Sequence, residues 1–302
     1  MRKIFPLFFL VMPVMVCLSI ISCESSKASA SRMLKFNLEK GKGYDYQMVW
    51  DFNQDIMGQD MKMGMGMGYT LEVTENDSMV RTIDAAINHL QWNMNLMGMN
   101  LHIDTDKPMA ENEVPENEKK LSAAFNKVMS SVKGKKFTMK VDPEGKVLEV
   151  NGFEDIFLSM IDSSGADVAE KEKATESLRQ QFNSQETKDQ FVELFYIFPQ
   201  REVKVGDSWE KNYETGGKVP AKNHTVYKVK DIDGDMVTLS SQTELESLDD
   251  KLKITGTKKG KLLVDSRTGL VIDATFDHEI NFSAMGMSFT MKGKGKIKGA
   301  AK

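Results

Sequence analysis

Cysteine is nearly absent from this chain. It has two in 302 residues, Cys17 and Cys23, too few to staple a large fold with disulfides. Histidine is scarce as well: His89, His102, His224 and His278 are the four, and none stands at metal-ligand spacing from another. Neither sign of charge dominates, with 40 Lys and Arg against 44 Asp and Glu. A net charge of -4 gives no electrostatic reason to expect nucleic acid. The motifs of common enzymes are missing too: there is no Gly-x-Ser-x-Gly, no His-Glu-x-x-His and no phosphate-binding glycine loop. Ser130-Ser-Val-Lys133 has no Ser-Asp-Asn or Lys-Thr-Gly partner. Asp231-Ile-Asp-Gly-Asp235 reads as a hairpin turn rather than a calcium loop, because Gln242 stands where the bidentate Glu belongs. The expectation is a protein without catalytic residues, resident metal or cofactor.

What is present begins at the N-terminus. Arg2 and Lys3 precede an apolar run, Ile4 to Leu18, and then Ser19-Ile-Ile-Ser-Cys23. A positive start, an apolar stretch and small residues before a cut are the parts of a secretory signal. Ile-Ile-Ser-Cys resembles a bacterial lipobox, which implies cleavage before Cys23 and diacylglycerol on its sulfur. Residues 1–22 are then a signal peptide and Cys23 the lipidation site. Residues 23–32, small and polar after the cysteine, read as a flexible tether. The implied location is the bacterial cell envelope, the outer membrane ahead of the inner, with the membrane itself as a partner through the acyl chains.

Residues 33–302 read as one α+β domain in three stretches. From 33 to 106 the period is two: Tyr44 to Phe52, Tyr69 to Val73, Met79 to Ile83 and Leu90 to Met94 alternate apolar with polar residues, as half-buried antiparallel strands do. From 115 to 198 the spacing turns helical. Leu121, Ala124, Phe125, Val128, Met129 and Val132 predict one helix stopped by Gly134, and Phe153 to Ile161 another after the hairpin Val141 to Val147. The charged stretch 167–179 predicts a weaker helix, and Asn183 to Phe198 one closed by Pro199. Strands resume over 201–300. The expected architecture is a large curved antiparallel sheet, half-barrel-like, with the helical block covering its concave face.

Methionine is the one abundance that calls for explanation: 22 residues, equal to glycine. Half of them fall in three clusters: Met57, Met61, Met63, Met65 and Met67; Met94, Met97 and Met99; Met285, Met287 and Met291. In Met61-Lys-Met-Gly-Met-Gly-Met-Gly68 every odd position is Met, which on a strand puts four thioethers on one face. Met285, Met287, Phe289 and Met291 repeat the pattern. With Trp92, Met94, Met97 and Met99 these are the candidate ligand-binding residues. Three uses fit them: a solid core filled by a flexible side chain, an apolar cavity for a lipid or other hydrophobic small molecule, or a soft-metal site, since thioethers bind Cu(I). The seven methionines of the two stripes, Met61, Met63, Met65, Met67, Met285, Met287 and Met291, are expected to point the same way, towards the helices.

Gln200-Arg-Glu-Val-Lys-Val-Gly-Asp-Ser-Trp209, followed by strands and then Gly260-Lys-Leu-Leu-Val-Asp-Ser-Arg-Thr-Gly-Leu-Val-Ile272, behind a lipobox, resembles uncharacterised lipoproteins of Bacteroidota. That resemblance implies most of the mature chain and no catalytic residues. By itself Val205-Gly-Asp-Ser-Trp209 reads as a tight turn into a strand whose Trp packs in the core.

Overall fold

The computed structural model describes residues 31–56, 59–77, 79–96, 99–107, 119–181, 184–216, 220–248, 253–284 and 287–302. Residues 1–30, with the lipobox and Cys23, lie outside these, as do Met57, Met97 and Met285.

The first elements are strands: β1 (Arg32–Leu34), β2 (Gly43–Ile56), β3 (Gln59–Asn76), β4 (Arg81–Leu96) and β5 (Met99–Asp104). Then come α1 (Lys119–Ser130), the hairpin of β6 (Lys136–Val141) and β7 (Val147–Asn151), α2 (Phe153–Ser163) and α3 (Val168–Gln181). The stretch expected as one helix up to Phe198 is broken in two, α4 (Ser184–Asp189) and α5 (Val192–Phe195). Phe191, Leu194, Phe195, Ile197 and Phe198 are all fully buried. Four of them keep the spacing of one helical face, and Ile197 stands off it beyond the end of α5, where the chain has left the helix. The remaining strands are β8 (Arg201–Val203), β9 (Ser208–Thr215), β10 (Ala221–Asp233), β11 (Met236–Ser247), β12 (Lys253–Asp265), β13 (Leu270–Ala284) and β14 (Met287–Ala301).

Most of the chain is antiparallel sheet. Twelve strands form one sheet in the order β7-β6-β4-β3-β2-β14-β13-β12-β11-β10-β9, with β5 added beside the far half of β4, and the sheet does not close into a barrel. β1 pairs with β8 as a separate ladder. The last long strand lies beside the first, Ala301 opposite Tyr44. Asp231 to Asp233 end β10, and Gly234-Asp235 make the hairpin turn into β11, with Gly234 at φ 57°.

The core gathers on one face of the sheet. Tyr44, Tyr46, Tyr69, Leu71 and Val73 from β2 and β3 are at most 1% exposed. The Phe191 ring lies 5.5 Å from Tyr69 and 6.0 Å from Phe137 of β6, and Phe195 lies 5.1 Å from Phe36. Trp209 of β9 is buried as the turn-into-strand reading requires, its Nε1 donating to the Ile197 carbonyl at 2.8 Å. Lys258 of β12 pairs with Glu193 of α5. One short segment, 191–198, therefore touches β6 and β9, nine places apart in the sheet order. Gly145 in the β6–β7 turn completes the fit: at φ 92° it passes so close to Phe195 that a Cβ would stand 1.9 Å from the carbonyl oxygen.

Candidate functional site

The Met stripe of β3 lies on the core face. Met61, Met63, Met65 and Met67 share the parity of Tyr69, Leu71 and Val73, and the register shift beside Gly68 is taken up on β4, where Asn88 is the extra residue. Gly64, Gly66 and Gly68 face the other way, against Asp51, Gln91 and Asn88. The ladders then run unbroken across the face. Met63 stands opposite Phe52 on one side and Met94 on the other, and Met94 opposite Leu101. One step along, Met65 stands between Trp50 and Trp92, and Trp92 meets Ile103.

Over this second row the sheet and the helices part. They leave an apolar cavity of about 460 Å³, within the usual range for a small-ligand site. Its sheet side is Met48, Trp50, Phe52, Met65, Met67, Leu90, Trp92 and Ile103, and its helix side Met129 and Val132 near the end of α1 and Phe153, Ile156, Phe157 and Met160 of α2. Among the described residues of the lining, Gln91 and Gln190 are the polar ones, and the Gln91 side chain lies against Gly66 on the opposite face. The Tyr69 hydroxyl, at the edge of the aromatic core, donates to Met67 Sδ.

Of the sequence candidates, Met65, Met67 and Trp92 meet at this cavity. Met61, Met63, Met94, Phe289 and Met291 lie on the same face of the sheet but outside it. Phe289 stacks on Phe282 at 4.8 Å and is 42% exposed, so that end of the face is not covered. Met99 and Met287 belong to described strands, but their side chains lie outside the described ones, and Met97 and Met285 lie outside the described residues altogether. The expectation that both stripes point towards the helices holds for Met65 and Met67. Phe125, one of the residues whose spacing predicts α1, is exposed. Met48, Trp50, Phe52, Met129, Phe157 and Met160 were missed as lining residues. The even positions of β2 gave a signal, since Tyr44, Tyr46, Met48, Trp50 and Phe52 alternate as regularly as the Met stripe.

The cavity has a polar neighbour. Along the row of Met63 and Phe52, the next residues are Gly293 of β14, His278 of β13 and Lys258 of β12. A Cβ on Gly293 would run into the Phe52 ring at 2.5 Å, and one on Gly295 would stand 3.3 Å from Trp50 Nε1 and 3.2 Å from His278 Nε2. The two glycines thus let both rings lean across β14 to the imidazole, whose ring centroid is 6.1 Å from that of Phe52. His278 Nε2 is buried and has no hydrogen-bond partner. Burial, and then the charge of Lys258, push the imidazole down to about 4. Burial likewise pushes the Lys258 ammonium down to about 8, its Nζ also lying 5.4 Å from the centre of the Phe276 ring.

Two other hollows are more open to solvent. One, about 790 Å³, takes its lining from both faces: Lys259, Asp277, Lys294, Asp51, Asn93 and His102 from the outer row, and His278, Gly293, Phe52, Met63 and Met94 from the row beside the cavity. The other, about 1540 Å³, lies between the α4–α5 stretch and β9–β12. Lys133 is held by Asp106 at 2.5 Å, in an ion pair away from any catalytic grouping with Ser130. Among the described residues, no three His, Cys, Asp or Glu side chains gather as metal ligands, and no helix is long and apolar enough to cross a membrane.

No curated protein matches the sequence. Among solved structures, lipovitellin, described for its lipid–protein interactions, is similar over 88% of this chain at 7% identity with a TM-score of 0.49, and this chain spans 26% of it. A Bacteroides fragilis protein of YmcC-like fold is similar over 86% of this chain and 96% of its own, at 6% identity and a TM-score of 0.23. Pseudomonas aeruginosa OccK5 (OpdH) is similar over 88% and 99%, at 8% and 0.23. Scores below 0.5 do not establish a shared fold. The model of the Family of unknown function (DUF6263) matches residues 78–271, nearly two thirds of the sequence, and the chain belongs to that family. The match includes β4, α1 and α2 of the cavity and leaves out β2, β3 and β14, where the Met stripes lie.

Proposed function

We propose that this member of a family of unknown function is a non-enzymatic lipoprotein of the bacterial envelope that holds a hydrophobic small molecule or lipid between its sheet and helices. The cavity carries the reading. A well-packed interior leaves few voids larger than a water molecule, whereas here a space of about 460 Å³ is walled by thioethers and aromatic rings. Unbranched, polarizable methionines suit a guest of variable shape.

The contacts of the 191–198 segment support the helices lying on the concave side of a coiled sheet. Nine strand spacings in a flat sheet are roughly 43 Å, more than a segment of eight residues could span, so the sheet bends around it. The Ile-Ile-Ser-Cys23 sequence supports a lipid anchor and an outer-membrane location, and Val205-Gly-Asp-Ser-Trp209 supports kinship with lipoproteins of Bacteroidota. The test is to purify the protein from its own envelope in mild detergent and record native mass spectra. A bound small molecule released by organic extraction, and lost from Met65→Trp with Trp92 intact, is the expected result. A clean unliganded mass from several preparations would refute the reading. Labelling with an alkyne fatty acid that disappears in Cys23→Ala tests the anchor.

A further inference from the structure

Resting on the cavity reading above, we infer that His278, with Lys258 beside it, forms the head-group subsite of the Met-lined cavity, and that the guest is a long-chain carboxylic acid. Three observations meet there. The ladder that passes Met63 and Phe52 continues through Gly293 to His278 and Lys258 and lies one step along the strands from the row of Trp50, Met65 and Trp92, so the polar and apolar parts are adjacent rows on one face, joined at Phe52. His278 Nε2 is buried without a partner; such atoms are rare in folded proteins and call for one. That nitrogen and the Trp50 ring, which is also cavity wall, both stand within 3.3 Å of the place a Cβ on Gly295 would take.

The glycines give the arrangement its use. Phe52 and Trp50 lie over Gly293 and Gly295, which have no side chains of their own. Turning either ring aside uncovers the imidazole above bare backbone, and a head group takes the vacated place. An alkyl chain then lies over Met65 and Trp92, with Trp92 one step along the strands from the His278 row and about 19 Å, four strand spacings, across from His278. The charge balance selects the head. Lys258 is already paired with Glu193, so the site offers one unpaired ring nitrogen and a neutralised ammonium. That suits a single carboxyl group, whereas a phosphate dianion would need several further donors. A carboxylate near both groups also offsets the burial that pushes their pKa values down.

The experiment measures binding of tritiated palmitate and tritiated hexadecanol, equal in chain length, to the full-length protein captured on beads. Palmitate is expected to bind about tenfold more tightly, the worth of one charge-assisted hydrogen bond. His278→Leu and Lys258→Met should each remove that preference by weakening palmitate and leaving hexadecanol unchanged, and His278→Gln, which keeps a hydrogen-bonding head, should restore part of it. Equal binding of acid and alcohol by the unmodified protein overturns the head-group subsite and leaves the cavity standing. Binding of neither overturns the cavity and the subsite together. If His278→Leu loses both ligands while its melting temperature is unchanged, the residue shapes the cavity and the head-group role is wrong.

Discussion

β2 and β3 carry two regimes on one face. Towards one end they present Tyr44, Tyr46, Tyr69 and Leu71, sealed under the Phe191 and Phe195 rings. Towards the other they present Trp50, Phe52, Met63 and Met65, half-buried over a cavity or beyond it. The strands, their alternation and the face are the same, so neither propensity nor pattern distinguishes the ends. On β3, where Tyr69 and Leu71 give way to Met63 and Met65, side-chain stiffness does. Rings with two torsions fix one geometry and interlock with the rings that cover them, while a thioether with three rotatable bonds accepts several neighbours and specifies none. The rigid end holds the fold, and the pliable end is free to hold something else.

The strongest test of that contrast is truncation at the rigid end. Tyr69→Ala removes a fully buried ring packed on Phe137 and Phe191, and should cost about 3–5 kcal/mol in urea unfolding, as large aromatic deletions do. Met65→Ala deletes a side chain that already borders empty space, so fewer packing contacts are lost. A cost of about 1–2 kcal/mol is expected, below the usual range for a solid core. Equal costs at the two positions would mean that the cavity is closed in solution and the contrast false.

Much of this organisation is legible in the sequence. Strict alternation located the strands of the N-terminal half, Gly134 the end of α1, and Asp231 to Asp235 a turn. The face of the Met stripe follows from its shared parity with Tyr69. Three things are not legible. The split of the 183–198 helix leaves Phe191, Leu194, Phe195 and Phe198 at the spacing of one helical face, so that spacing does not reveal it. Phe125 fits the apolar stripe of α1 by spacing, yet the sheet beneath that helix is filled from other strands. The approach of His278 to Trp50 depends on register across β13, β14 and β2, and register is a property of pairing, absent from any one strand.

The boundary between the regimes has a pH signature. The groups facing His278 are Lys258 across the ladder, Glu193 from α5 through that lysine, and Asp277 beside it. The imidazole is held at about 4 in the fold, against 6.5 for the free side chain. Between those values the unfolded chain binds a proton that the native one does not, so stability rises with pH through that window and falls on acidification. His278→Leu should flatten that part of the melting-temperature profile relative to the unmodified protein while leaving the plateau above pH 7 nearly in place. An unchanged slope would show that solvent already reaches the ring, and the pliable end would then extend one strand further than drawn here.

The smallest effect belongs to the most pliable position. Met63→Leu keeps volume and polarity nearly constant, and Met63 lies on the uncovered part of the face, so stability should shift by less than about 1 kcal/mol. What changes is adaptability: leucine is branched and has one rotatable bond fewer. If the methionines are there to accommodate guests, combining Met63→Leu with Met65→Leu should narrow the range of chain lengths that co-purify, as read by mass spectrometry, with the melting temperature almost unmoved. If they are only fillers, the same substitution leaves the bound species unaltered, since a core that packs against itself has no reason to prefer sulfur to carbon.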